Sequence, residues 1–346
     1  MAKPKIEATL NGLGADTGEH ARAAEEMGFD TLWSPELDWD SFMPLPVAAD
    51  HTDEIEIGTR IATAFTRSPM VLAYTGWDLA KFSEGRFIMS LGTQVKAHNE
   101  RRFSVGWGDP TQRLREVTES IKHIWDYWQG NADEFGYEGE HYSFSLMTTA
   151  FNPGPQEHPD IPIYLAAVNE GNVKLTGEIA DGICLHSFNT PKYTREHIVP
   201  WLEESAEEHG RSLDDVTISA SPFVVTGRDE SEMDARRDAV RMRIAFYAST
   251  PSYKAVMQTH GWEDTGRELW KLSREGKWND MMDLVTDEMV SEFAIEAPLE
   301  EVADAVLDEY GDVADRIALD VEEPFEGQDL WRTIAEDWVR AESEAE

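Results

Sequence analysis

Short runs of β-branched and apolar residues alternate with stretches whose apolar positions recur at helical spacing, from one end of the chain to the other. Strands are predicted over 5–10, 31–36, 54–63, 87–93, 161–168, 182–188, 216–227 and 316–321. Between them, helices are predicted over 16–28, 41–51, 69–82, 111–129 and 169–180, then from the sixth strand to about 209, with a last one over 330–342. In the 111–129 helix, Leu114, Val117, Ile121, Ile124, Trp125 and Trp128 share a face. The run 161–168 is almost continuously apolar, which suits a parallel strand covered on both sides. Residues 131–160, rich in Gly, Pro and aromatic residues, read as an irregular connection.

Eight strands alternating with helices predict an α/β fold of the (β/α)8 TIM-barrel type, as a single domain over 1–346. A doubly wound open sheet is the competitor, and the absence of GxGxxG after the first strand weighs against it. No internal repeat is apparent. The stretch 228–310 is too long for one crossover helix and is expected to be a helical insertion between strands seven and eight. Its aromatic residues Phe246, Tyr247, Tyr253, Trp262, Trp270 and Trp278 suit a lid, a dimer surface or plain helix packing.

Charge changes the picture next. The chain has 68 Asp plus Glu against 30 Lys plus Arg, a formal net charge of -38. Such self-repulsion is relieved where salt shortens the Debye length, to about 3 Å at 1 M. The acid is spread along the whole chain, so a halophilic, high-salt cytoplasm is expected. An acidic surface for a cationic partner is the alternative. Nucleic acid is excluded as a partner by the lack of a basic footprint. The single cysteine, Cys184, permits no internal disulfide. The chain shows neither a signal-like leader nor a membrane-spanning apolar segment, so a cytoplasmic location is expected.

In such a barrel the C-terminal strand ends carry the chemistry. They select Asn11, Glu36, Thr63, Gly92 to Gln94, Val168, Asn169, His186, Ser221 and Asp320. Glu36 can exchange a proton if an apolar wall raises its pKa, or can form a rim salt bridge. His186 suits proton exchange near neutral pH, or a satisfied place in the upper barrel. Asn169, Glu170, Gly171 and Asn172 open a helix whose free amides suit a phosphate. Gly92 and Thr93 form a similar turn after strand four. No metal is expected, since there is no HExxH and no Cys/His cluster. Cys184 reads as core, and no GxSxG elbow is present.

Several longer segments carry a family likeness: AAEEMGFDTLWSPE at 23–36, the run 57–103 with SEGRF before strand four, FNPGP at 151–155, 161–188, PFVVTG at 222–227 and IAFYASTPSY at 244–253. In their order and spacing the chain resembles the luciferase-like monooxygenase superfamily. Within it, it resembles the oxidoreductases that use coenzyme F420, a deazaflavin, and with the acid excess a haloarchaeal source is expected. The resemblance implies hydride transfer to or from a small organic substrate, and commonly a homodimer. It implies a non-prolyl cis peptide at Arg60–Ile61, in a strand-three bulge behind the cofactor ring. Thr63 matches a cofactor-contacting polar residue, and Val168, Asn169, Gly171 and Asn172 match the phosphate loop. Where sugar-phosphate dehydrogenases of the family have Asp-His, this chain has Pro35-Glu36, which passes the proton role to Glu36, with His186 facing substrate. The alternatives are an FMN-dependent monooxygenase of the same superfamily and a non-catalytic flavin-binding protein. A glycosidase using Glu36 and Asp320 is more distant.

Overall fold

A computed structural model describes residues 3–10, 12–321 and 328–343. Asn11 lies outside the described residues. Eight strands form the centre: β1 (Lys5–Thr9), β2 (Thr31–Ser34), β3 (Glu56–Thr59), β4 (Phe87–Gly92), β5 (Ile163–Ala166), β6 (Gly182–Cys184), β7 (Thr217–Ala220) and β8 (Arg316–Ala318). Each pairs in parallel with the next, and β8 returns to β1 with Arg316 opposite Lys5. The ring is closed, as the alternation predicts. Among the described residues no helix is long and apolar enough to cross a membrane.

Local chemistry sets the helices. In α1 (Thr17–Met27), Gly28 ends the helix with φ of 89°. In α3 (Pro69–Phe82), which follows α2 (Pro44–His51), Ser68 accepts from Val71 N–H and Pro69 takes the first turn, where no amide is missed. Asp109 caps α4 (Pro110–Gln129), whose predicted apolar face is buried. The helix α5 (Glu170–Ile179) follows β5, and α6 (Val199–Glu208) precedes β7. The chain then reaches α7 (Val302–Tyr310) before β8 and ends in α8 (Gln328–Ser343). A short helix, Lys96–Arg101, lacks a clear apolar face and escapes prediction.

One small device repeats at the bottom of the ring, although the sequence shows no obvious repeat. Asp30, Asp181 and Asp315 each stand just before a strand. The backbone N–H of each donates to the carbonyl of Ile6, Ile163 or Ile218 in the preceding strand, all at 2.9 Å. Each carboxylate then accepts from the same isoleucine's N–H, at 2.8, 2.9 and 2.8 Å. The segments GFD, IAD and VAD share only the acid, which hides the pattern among 68 acidic residues.

Three predicted strands are interrupted. β3 stops at Thr59 and the strand resumes at Ala62–Thr63, opposite Leu91 and Gly92. β7 gives way at Ser221-Pro222, since proline has no ladder amide, and resumes at Phe223–Val225. β8 resumes at Asp320–Val321. These last two pieces and Ala294–Glu296 form a three-stranded parallel sheet, in which Phe223–Val225 is central and pairs with both others. Between β7 and α7 lie the helices Glu230–Ala248, Lys254–Thr259, Glu263–Glu275, Trp278–Met282 and Asp287–Phe293. The 131–160 connection holds a hairpin of Tyr137–Glu138 and Ser143–Phe144. It is tied down by Glu116 of α4, which accepts from the backbone amides of Glu140, His141 and Tyr142.

Candidate active site

Parallel closure brings all eight C-terminal strand ends to one rim. At β2 to β4 the break in the third strand is a turn of backbone: the Arg60–Ile61 peptide is cis. Gly92, opposite Thr63, leaves room for it, because a Cβ there would lie 2.8 Å from Ile61 Cδ1. The Arg60 side chain does not face the rim. It turns down inside the ring, where its guanidinium donates to Ser219 Oγ at 2.5 Å and to the carbonyls of Ser219 and Leu185. Glu7, wholly buried on β1, lies 3.5 Å away and supplies the countercharge. Only the backbone of Arg60 is therefore left for a rim ligand.

Glu36 stands beside this bulge and differs from the protonated acid expected of it. Its Oε2 accepts from Thr63 N–H at 2.9 Å, Arg67 at 2.8 Å and Ser41 Oγ at 3.4 Å. Three donors, one of them a guanidinium, thus converge on this oxygen in place of an apolar wall. Arg67 is also bound to Asp40 at 2.6 Å. The effect is mechanical: the end of β2 holds the resumed third strand by its amide. Thr63 Oγ1 is buried and has no hydrogen-bond partner among the described residues. A polar atom in that state is costly unless a ligand serves it.

The β4 and β5 ends come next. Thr93 O accepts from Asn99 Nδ2 at 2.8 Å, which fixes the turn after Gly92. Val168 O accepts from Tyr193 OH at 2.9 Å. Asn169 caps α5 by position but makes no side-chain cap bond; its Nδ2 donates instead to Ser252 O of the insertion. Gly171 is exposed, and Asn172 Oδ1 accepts from Thr111 Oγ1 at 2.7 Å. The first amides of α5 are thus open at the rim, with Glu170 drawn aside by Lys174 at 3.0 Å.

His186 follows β6. Its Nδ1 accepts from Phe188 N–H at 2.9 Å, which leaves the proton of the neutral ring on Nε2. Burial pushes its pKa down to about 4, with Asp320 opposing and Arg243 and Arg60 adding to the shift. The imidazole is therefore neutral at pH 7, with Nδ1 engaged by Phe188 N–H. Tyr247 and Tyr253 of the insertion lie against it, with ring centroids at 4.6 and 4.8 Å. Beside them Arg243 grips Asp320 through two contacts of 2.6 Å, and Ser187 Oγ donates to the same carboxylate at 2.6 Å. That engagement argues against Asp320 as half of a glycosidase pair.

The structure thus gathers Glu36, Ile61, Thr63, Gly92, Thr93, Val168, Asn169, Gly171, Asn172 and His186 on successive strand ends, and sends the Arg60 side chain below them. Sequence reasoning missed Glu7, Arg67 and Arg243. For Arg67 a signal exists: one arginine just past the third strand, set against the acids of 36–40. A groove of about 1240 Å3 lies elsewhere, on the outer wall beside Arg195, Glu292 and Tyr310, and contains none of these residues. No cluster able to hold a metal ion occurs among the described residues.

The sequence model of the luciferase-like monooxygenase family matches residues 7–316. An uncharacterized protein of Mycobacterium tuberculosis is 40% identical over 313 residues, covering 90% of this chain and 92% of its own. The 5,10-methylenetetrahydromethanopterin reductase of Methanopyrus kandleri is 29% identical over 304 residues, covering 82% of each chain. The solved coenzyme F420 dependent tetrahydromethanopterin reductase of that organism superposes with a TM-score of 0.77 at 24% identity, covering 98% of this chain and 99% of its own. An F420-dependent secondary alcohol dehydrogenase gives 0.72 at 17% identity, covering 97% and 99%. At these identities the two structures speak for the fold.

Proposed function

Because the chain belongs to the luciferase-like monooxygenase family, we propose that it is a coenzyme F420-dependent oxidoreductase acting on a small organic substrate. One observation carries the reading: the buried, unserved Thr63 hydroxyl at the rim, where the third strand resumes opposite Gly92. The F420-dependent activities in the names of related proteins support the choice of cofactor. When bound, the deazaflavin supplies a ring carbon that takes or gives hydride.

The residues fit that group. Ile61 would offer the bulge, Gly92 the space its side chain fills, Thr63 a hydroxyl, and Thr93 and Val168 the adjoining rim. Asn169, Gly171 and Asn172 would hold a phosphate on the open amides of α5. Glu36 positions the bulge through Thr63 N–H and Arg67. His186 keeps its proton on Nε2 and orients the substrate's electronegative atom. The insertion limits access of water over β6 to β8.

We further read the chain as a homodimer of a cytoplasmic protein. Val71 and Phe82 are half-exposed on one face of α3, and exposed Phe151 is tied to that helix through Tyr74 OH. Light scattering should give twice the chain's 39.1 kDa, and Val71→Asp should return the mass to that of one chain. The acid excess we read as adaptation to concentrated salt. The mycobacterial relatives at 40% identity lend no support to a haloarchaeal source.

Titration with F420 and, separately, with FMN while following tryptophan fluorescence tests the reading. Micromolar F420 binding with weaker FMN binding is expected. The reverse order together with oxygen consumption would favour the FMN monooxygenase. Cofactor binding without turnover over a broad substrate panel would favour a binding protein.

A further inference from the structure

The insertion brings two tyrosines to His186 on the rim, and their polar atoms are unspent. Tyr247 and Tyr253 lie 5.7 Å apart, centroid to centroid, and each touches the His186 ring. Neither hydroxyl nor His186 Nε2 has a hydrogen-bond partner among the described residues, and none of the three is sealed from solvent. Phe188 packs beneath Tyr253, with centroids 5.4 Å apart, and holds the group from below. The result is a wall of ring edges carrying three donors.

Its charge is equally informative. Two guanidinium groups act on His186, and both are committed. Arg243 is held by both oxygens of Asp320, and Arg60 by Ser219 and Glu7. Neither is offered to an anion. The net charge of -38 repels anionic ligands as well. Burial raises the Tyr253 hydroxyl above its ordinary range, so it remains a donor at any working pH.

We propose that this end of the mouth receives an uncharged, flat carbonyl compound, with its ring on Tyr247 and Tyr253 and its oxygen on His186 Nε2–H and a tyrosyl hydroxyl. This rests on reading the rim as the reaction site, and it specifies the substrate class. An aromatic wall rewards a planar ligand through edge and stacking contacts. A site built to donate to oxygen discriminates against ligands that lack one.

Three naphthalenes of equal ring size test it: 2-acetonaphthone, the anion 2-naphthoate and 2-ethylnaphthalene. Binding to the full chain is read by saturation-transfer NMR titration, with and without F420. The ketone should bind about tenfold more tightly than either of the others, the scale of one well-made hydrogen bond. Tyr253→Phe or Tyr247→Phe should remove most of that advantage, leave 2-ethylnaphthalene unchanged and leave F420 affinity unchanged. Naphthoate binding as tight as the ketone, or no response to either tyrosine change, overturns the proposal. Ketone binding without F420 binding would sink the cofactor reading and keep the subsite. F420 binding with no ketone preference would do the opposite.

Discussion

Glu36 shows how far a single residue can be read before its neighbours are known. Its place at the end of β2 was legible; Arg67 just past the third strand was a visible candidate, but that it binds Glu36, 31 positions away, declares itself only when the third strand is broken. Since it acts as an anionic clamp, Glu36→Gln should keep fold and turnover at saturating cofactor. It should lower F420 affinity about tenfold and cost about 1–3 kcal/mol of stability, the scale of a charged hydrogen bond. Fluorescence titration and urea melts check this, and a variant with full affinity but no turnover would restore the proton-donor role. His186 makes a second prediction. Its folded pKa of about 4 lies below the ordinary 6.5. The unfolded chain therefore takes up a proton as pH falls through 6.5, while the folded chain resists until about 4. Stability should decline across that window and be flat above it as far as this residue is concerned. His186→Gln should flatten that part of the profile, and kcat/KM should show no histidine inflection near 6.5. Arg60 was the harder case: its position in the bulge could be stated, but not that it points inward, since the countercharge on Glu7 lies 53 residues earlier.

At the level of elements, strand and helix order was legible because the longer helices carry an apolar face and several carry caps of their own, as at Gly28, Ser68 and Asp109. The 69–82 helix matches to the residue, since Ser68 and Pro69 mark its start. Of the interruptions, the third-strand bulge was implied by the resemblance and Pro222 marks the second, whereas the break before Asp320–Val321 has no such signal, because only the partner strand decides where its pairing lapses. The bottom-of-ring aspartates were hidden by their own abundance. Each satisfies one strand amide, so Asp30→Ala and Asp181→Ala should each cost about 0.5–1.5 kcal/mol. Sharing no hydrogen-bond partner, they should add in the double variant. Urea midpoints with unchanged slope would show this; a null effect would mean water replaces the carboxylate without loss. Glu116 belongs to the same class. Burial alone would raise its carboxyl, but the bonds from His141 N–H, Gln112, Tyr142 N–H and Glu140 N–H outweigh that and hold it below the usual carboxylate range. Its contribution is present above the unfolded value and is lost as pH falls through the folded one. Hydrogen exchange in 131–160 should therefore accelerate in acid before the barrel opens.

Across the whole molecule, the net charge of -38 predicts that the melting temperature rises as KCl is increased from 0.1 M to 2 M. A flat response in calorimetry would remove self-repulsion as the meaning of the acid. Part of that acid is in any case structural, as the aspartate clips and Glu116 show. The rim sheet has a practical consequence for exchanging parts between related barrels. Phe223–Val225 and Asp320–Val321 belong to the barrel's own strands, yet they pair with or beside Ala294–Glu296. The cap over the mouth is therefore sewn to its host by main-chain bonds between Ala294–Glu296 and Phe223–Val225. A chimera spliced at the obvious loop boundaries would mismatch the ladder between Ala294–Glu296 and Phe223–Val225; the seams that transplant cleanly lie lower, at Ser221 and Leu319.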